Sequence, residues 1–269
     1  MPQEGEWVAM SVVQELEKFP LTGRFLLGRL RDALSQEDRQ RVENLIDRTE
    51  SFDSPTTILE RGNKVDHSTM LIEGFVLRTV RSGDKRYVVG IQVPGDFVDL
   101  HAFALKRLDH DLITIGNARV GYCPHDRIKQ IMESWPHLAR LLWFSTLLDA
   151  AIHREWIMKL EQLRAPRRVA HIFCEILYRL EMVGLGSDTV LETPLIQADL
   201  ADMCGTTAIH MNRAVRQLRE TGLADFNRGR VTIHDRQALC EYARFDPAYL
   251  YGEGELSVQG ELTEDGLRD

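Results

Sequence analysis

The sequence predicts an α+β chain in three parts: an N-terminal β-roll of jelly-roll type, one long helix, and a C-terminal winged helix-turn-helix. Three observations predict it. Between Ser54 and Pro124, short β-prone runs (TTIL, TMLI, FVLRTV, RYVVGIQV, DLITIGNA, VGYC) are punctuated by Gly62, Gly74, Gly83 and Gly95, the texture of an all-β sandwich or jelly roll. From Pro136 a helical pattern runs unbroken to Ala165-Pro166. From Ile196 to Thr232 the chain reads as a helix, a tight turn, a second helix and a small hairpin. The expected divisions are residues 1–135, 136–164, 165–251 and a tail, 252–269.

Composition sets the bounds. A chain of 269 residues, 43% hydrophobic and 28% charged, is ordinary for a globular protein with one large or two ordinary domains. Cys123, Cys174, Cys204 and Cys240 are widely spaced, without a C-x-x-C pair, and read as small buried hydrophobes of a reducing compartment. The acidic start MPQEGEW lacks a basic segment followed by an apolar stretch, so it is no secretory signal. The longest apolar window, LLWFSTLLDAAI, is broken by Asp149 and too short to cross a bilayer. A cytoplasmic protein without a membrane partner is expected.

Residues 1–50 read as helical. Val12, Val13, Leu16 and Phe19 recur at helical spacing, and Ser35 to Asp38 resembles a capping box ahead of Val42, Leu45 and Ile46. In the β region, Asp99, His101, Asp109, His110 and Asp111 are residue types that ligate divalent ions. Neither H-x-H nor H-x-x-x-H spacing occurs there, so the group reads as a solvated polar loop and no metal site is expected.

Along the long helix, Leu138, Leu141, Ser145, Leu148, Ile152, Glu155, Lys159 and Gln162 step by three and four. That period, near 3.5, is the signature of a helix pairing with its own copy, and implies a homodimer; a plain core helix is the alternative. Ala165-Pro166 breaks it and makes a hinge, because the residue before proline avoids the α region. The next helix, to Gly184, has Val169, Ile172, Phe173, Ile176, Leu177 and Leu180 as its core face. Gly184 to Thr193 reads as a loop or small hairpin, and Ala238 to Tyr251 as a final helix. The tail carries acids at 253, 255, 261, 264, 265 and 269 against Arg268 alone, the composition of a disordered segment.

In the helix-turn-helix, Cys204-Gly205 supplies the turn, Thr207 the N-cap of the second helix, and Gly222 its left-handed end. Met211, Ala214, Val215 and Leu218 fall on one stripe that must face a core. Ile209, His210, Asn212, Arg213 and Arg216 lie on the other face. Between Thr206 and Arg230 stand five arginines (213, 216, 219, 228, 230) and two acids, in a chain of formal net charge -8. A local basic face on an acidic protein points to a polyanion. FNRGRVTI then reads as a wing whose Arg228 and Arg230 reach phosphate.

The run IQADLADMCGTTAIHMNRAVRQLRETGLADFNRGRVTI resembles the DNA-binding domain of the bacterial Crp/Fnr (cyclic-AMP receptor/fumarate-nitrate regulator) family. LIEGFVLRTV, SGDKR and VPGDFVDL resemble the cyclic-nucleotide-binding β-roll that precedes it there. Together they cover about residues 35 to 250 and imply a dimeric transcription regulator, with double-stranded DNA bearing a pseudo-palindromic operator and RNA polymerase as partners. In the family, positions matching Ala208, Ile209 and Arg213 commonly read base edges as Arg, Glu and Arg. Only Arg213 is kept, so Ala208 and Ile209 offer apolar contact, for instance to a thymine methyl. His210 and Asn212 resemble a branch whose helix reads roughly V-H-V-N-R, and asparagine suits adenine. Thr207, Arg216 and Gln197 complete the implied DNA-contacting set. Ile196 stands where relatives often have a capping Thr, which predicts a weakened helix start.

The effector motif departs further. Pro94-Gly95-Asp96-Phe97 is kept, but Val98-Asp99-Leu100-His101 follows where nucleotide-binding members have Gly-Glu, and no R-[ST]-A triplet is present. A phosphate would lose its guanidinium fork unless Arg107 shifted into place. The expected pocket comprises Gly95, Asp96, Asp99, His101, Arg107 and His110, with the ligand unidentified and a cyclic nucleotide one candidate. Iron-sulfur members of the family use an N-terminal cysteine cluster; the first cysteine here is Cys123, so no cluster is expected. Two rival readings stay open: a regulator that needs no effector, and a metal-dependent jelly-roll enzyme. The enzyme would need an H-x-H motif followed by Glu and His, which the chain lacks, so no enzyme is expected.

Overall fold

The computed structural model describes residues 12–252. The acidic N-terminus and the tail from residue 253, expected to be disordered, lie outside them. Residues 12–18 form helix α1, followed by turns, a 3-10 turn at Arg31–Ala33 and helix α2 (Gln36–Glu43). The capping box forms as the spacing requires: Asp38 N donates to Ser35 Oγ (3.1 Å) and Ser35 N to Asp38 Oδ2 (3.3 Å). The first 50 residues are nonetheless not wholly helical. Strand β1 (Arg48–Phe52, RTESF) begins there, a largely exposed strand without apolar alternation to betray it.

Strands β2 (Thr56–Leu59), β3 (His67–Ser82), β4 (Lys85–Gln92) and β5 (Asp111–Pro124) complete an antiparallel sheet in the order β1-β5-β3-β4, with β2 also on β5. The six predicted runs condense into fewer, longer strands. TMLI and FVLRTV are the two halves of β3, and DLITIGNA and VGYC the two halves of β5. Gly74 and Gly116 mark bends rather than turns. Gly74 sits at φ +82°, where a Cβ would stand 2.2 Å from the Asn117 carbonyl oxygen, and the β3–β5 register slips just before it and across it. The bends let β1 lie on one half of β5 and β2 on the other. Val65, Leu71, Val76, Val98, Leu112 and Val120 fill the interior of this roll.

A short helix α3 (Ala102–Leu105) leads into β5, and α4 (His125–Ser134) leads to α5 (Pro136–Gln162), the long helix, with Pro136 in its first turn. Leu163 and Arg164 are extended, and α6 (Ala165–Met182) starts immediately after. The face of α6 expected to be buried is buried: Val169, Phe173, Ile176 and Leu177 are 0–2% exposed. Burying a side chain of that size contributes about 1.5–3 kcal/mol.

The remaining elements are β6 (Val190–Glu192), α7 (Gln197–Met203), α8 (Ala208–Glu220), β7 (Ala224–Asn227), β8 (Arg230–Ile233) and α9 (Arg236–Ala243). The segment read as a loop or hairpin before α7 contributes β6, the third strand of a wing sheet ordered β6-β8-β7. The expected final helix is shorter than the 238–251 pattern. Arg244 turns left-handed at φ +49°, and a 3-10 turn at Pro247–Leu250 follows.

The long helix buries within its own chain the face predicted to pair. Leu138 and Leu141 join the core beneath the roll, while Leu148 and Ile152 are covered by Leu250 from the far end of the chain. Left outside are Trp143, Leu147 and Ile157, at 61%, 52% and 68% exposure. With Ala150 and Arg154 between them, they step by four, three, four and three, so the uncovered heptad stripe is a neighbour of the predicted one.

Candidate nucleic-acid interface and effector pocket

Helix α7 begins without a side-chain cap from Ile196, as the missing hydroxyl requires. Asp199 Oδ2 accepts from Ile196 N (3.1 Å), so half of a capping box is retained. Gly205 at φ +61° makes the turn, and Thr206 N donates back to the Ala201 carbonyl (2.9 Å). Thr207 then caps α8, its Oγ1 accepting from His210 N (3.3 Å) and lying 2.9 Å from His210 Nδ1. Gly222, at φ +74°, ends the helix segment.

Met211, Ala214, Val215 and Leu218 are 0–4% exposed and lock α8 into the core. The opposite face is therefore fixed outward: Thr207, Ala208, Ile209, His210, Asn212, Arg213 and Arg216 are all exposed. Ile209, at 68%, is an aliphatic side chain held in solvent by its helix. Asn212 Nδ2 donates to Oε1 of half-buried Gln197 (3.4 Å), so those two predicted residues are neighbours across the helix-turn-helix.

The wing turns on Arg228 (φ +49°) and Gly229 (φ +85°), two successive positive-φ residues as in a type I′ hairpin. A Cβ on Gly229 would collide with the Thr193 carbonyl oxygen at 2.0 Å. Only glycine fits there, and the side chain of Arg228 is carried at the tip.

The arginines divide by partner. Arg216 pairs with Glu220 (2.9 Å), Arg219 with Asp225 (2.7 Å) and Arg230 with Glu192 (2.6 Å), all on the surface. Arg213 and Arg228 have no acidic partner among the described residues. The Glu192 contact has no signal in the sequence, since a three-residue strand leaves no periodicity. It leaves the Arg230 charge partly neutralised, unlike that of Arg228.

The six residues expected to form one effector pocket are dispersed. Asp99 is buried and accepts from Thr69 N and Oγ1, anchoring the chain inside the roll; burial raises its pKa to about 6. Arg107 is exposed and donates to the Gly62 carbonyl (2.5 Å). The rings of His101 and His110 lie 5.5 Å apart near Arg78 and Asp149. His110 is 6% exposed and bonded to Asp109 (2.8 Å), so it is not part of a solvated loop. Asp111 accepts from Arg61 N instead (2.7 Å), which scatters the supposed metal-type group. Gly95 and Asp96 line another cleft, between the roll, α5 and α6. Gly95 is required there: at φ +95° a Cβ would stand 2.5 Å from the Arg24 carbonyl oxygen.

A chain of polar bonds crosses this junction. Asp149 on α5 holds Arg78 of β3 (2.6 Å), and the Gln92 amide, oriented to suit its neighbours, bridges Arg78 (3.3 Å) and Asp96 (3.0 Å). Asp96 accepts from Arg179 of α6 (2.6 Å), and Arg179 reaches Glu175 (3.2 Å). Glu175 in turn accepts from Trp156 on α5 (2.9 Å) and from Tyr249 (2.7 Å). Most members are far from the next in sequence, which is why no local motif announces the network.

Residues 167–242 match the Crp-like helix-turn-helix domain. A probable transcriptional activator from Rhizobium leguminosarum bv. viciae is 23% identical over 202 residues, 75% of this chain and 79% of its own. The fold is similar to FixK2 from Bradyrhizobium japonicum, with TM-score 0.66 and 20% identity over 72% of this chain and 96% of that one. It is also similar to a CRP/FNR-family transcriptional regulator from Thermus thermophilus, with TM-score 0.59 and 18% identity over 74% and 99% of the two chains. An antiparallel sheet domain, a long helix and this helix-turn-helix stand in that order, so the chain has the fold of these regulators and carries a Crp-like helix-turn-helix domain at residues 167–242.

Proposed function

We propose that the chain acts as a homodimer that binds a pseudo-palindromic DNA site and changes its grip when the roll receives a signal. The observation that carries this reading is the outward face of α8. Its core face is fully buried, so Arg213, Asn212, His210 and Ile209 are presented together on a rigid element. Arg213 is the residue suited to guanine, Asn212 to adenine, and Ile209 to a thymine methyl. Arg228 at the wing tip, with Arg216, positions the protein on phosphate.

The stripe Trp143, Leu147, Ala150, Arg154 and Ile157 supplies the pairing seam, and two-fold pairing sets two α8 helices against half-sites about 34 Å apart or a multiple of that. Leu163 and Arg164, extended between α5 and α6, serve as the hinge. The Asp149–Arg78–Gln92–Asp96–Arg179 network offers a route from the roll to that hinge, and a ligand moves it only by binding one arrangement more tightly than another. RNA polymerase is the expected further partner, and the cytoplasm the expected compartment.

Hydroxyl-radical footprinting on a selected duplex tests the reading. Two protected stretches on one face of the DNA, one turn apart, are expected. A single protected half-site would contradict the paired arrangement.

A further inference from the structure

The signal that reaches the roll has a chemistry written in the cleft that Gly95 and Asp96 line. Apolar walls come from Phe25, Leu26, Phe97, Leu148 and Ile152. The space between them is about 30 Å³, enough for roughly two waters at 10–15 Å³ each. Its acids and hydroxyl already have partners. Asp149 binds Arg78, Asp96 accepts from Arg179 Nη2 and Val93 N, and Ser145 Oγ donates to the Leu142 carbonyl.

Two donors are left over. Arg29 Nη2 and Arg179 Nε are both buried and have no hydrogen-bond partner among the described residues. Both side chains line the cleft, and Arg179 is 2% exposed. Arg179 is compensated by Asp96 and Glu175, whereas Arg29 has only the Leu250 carbonyl (2.9 Å) and no ion-pair partner among the described residues. Burial, with a further push from Arg179, drives the Arg29 pKa down to about 10, against the pull of Asp96. A half-buried guanidinium whose inner Nη2 is sealed from water without a partner or counter-ion is costly, and an anion placed beside it relieves that cost.

We propose that this cleft binds the carboxylate of a small organic acid, with Arg29 and Arg179 donating to it and the apolar walls holding its chain. The spare donors decide the headgroup: two of them suit the two oxygens of a carboxylate, whose chain runs out along the apolar walls of the open cleft, and a phosphate would leave further oxygens without donors. The bound acid touches the N-terminal segment, the 94–97 turn, α5 and α6 at once. Bound to Arg179 Nε, it shares with Asp96 the guanidinium that ties α6 to the roll, and so weakens that tie. This inference rests on the reading that the roll receives a signal, but binding is measured without DNA, so its failure is separable from failure of the DNA reading.

The test is a thermal-shift and tryptophan-fluorescence titration of the full chain with acetate, succinate and hexanoate, against hexanamide and inorganic phosphate. Hexanoate is expected to give a saturable rise in Tm, and hexanamide none. Arg29→Met should fold with an unliganded Tm no lower than the parent and lose at least tenfold in hexanoate affinity. Should that variant not fold, Arg29→Lys, which keeps the charge without the fork, should bind several-fold more weakly. Equal responses to hexanoate and hexanamide, a stronger response to phosphate, unchanged affinity in the Arg29 variants, or no saturable response to any of the three acids would each overturn the proposal.

Discussion

Arg86 on β4 lies 2.6 Å from Asp199 and 2.7 Å from Asp202, so one guanidinium from the roll holds two carboxylates on the first helix of the helix-turn-helix. Asp199 is 5% exposed and also accepts the first N–H of its helix segment. The clamp therefore joins two jobs, docking α7 on the sheet and securing its start.

Arg86→Ala leaves Asp199 buried without its partner. The expected cost is about 1–3 kcal/mol, reduced from that of a fully buried pair because Arg86 is partly exposed. Urea denaturation checks the loss, and amide exchange should quicken first across residues 196–203. Exchange that quickens uniformly along the chain would show that the clamp is not local.

The arginines of α8 and the wing should separate by role. Arg213→Ala is expected to weaken binding and relax preference at one base pair by about 1–3 kcal/mol. Arg228→Ala should weaken all sequences alike and flatten the salt dependence by roughly one counter-ion. Arg230→Ala should do less, since Glu192 already holds that side chain. Fluorescence anisotropy on matched and mismatched duplexes across a salt series distinguishes the three. Equal loss of specificity in the Arg213 and Arg228 variants would refute the division.

On the long helix, Ile157→Glu places a charge in the uncovered stripe. It should dissociate the dimer, seen by sedimentation, while leaving protomer stability nearly unchanged. Leu148→Ala lies on the face covered by the chain itself and should cost the protomer about 2–5 kcal/mol. If the two effects were exchanged, the stripe that the sequence predicts would be the seam after all.

That exchange of stripes shows what is legible in the sequence. Periodicity at Leu138, Leu141, Leu148 and Ile152 identifies a face that must be buried, but not what buries it; Leu250, about a hundred residues on, supplies part of the cover. The helix-turn-helix is legible almost residue by residue, because Thr207, Gly205, Gly222 and the Met211 stripe act through their immediate neighbours. Gly74 misleads because a bend and a turn ask the same left-handed backbone of glycine. Cys174 and Cys240, 66 residues apart, read as unrelated along the chain, yet their sulfurs lie 3.7 Å apart between α6 and α9. Adjacency along the chain groups the residues expected to line one pocket, and the fold sends Arg107 and Asp99 to different places from Asp96.

Acid should destabilise the protein. Burial lowers His101 to about 4, helped by Arg78 and His110, and lowers His171 to about 4, helped by Lys159. A histidine depressed in the folded state contributes stability that is present above its ordinary pKa of 6.5 and is lost as pH falls toward 4. Asp99 works the other way, since its raised pKa contributes stability that is present below 3.8 and lost as pH rises through about 6. Two histidines, each worth roughly 1–3 kcal/mol, outweigh the one aspartate, so Tm should fall from pH 6.5 to 4. His171→Phe should flatten that slope; an unchanged slope would remove His171 from the account.

Selection from a random duplex pool by the 269-residue chain, with and without added carboxylate or cyclic AMP, tests paired DNA recognition directly. A two-fold symmetric site whose half-sites are spaced by whole helical turns should be enriched, and Arg213→Ala should lose that consensus at one position per half-site. Enrichment of an asymmetric site, or a consensus that survives Arg213→Ala intact, would contradict that expectation.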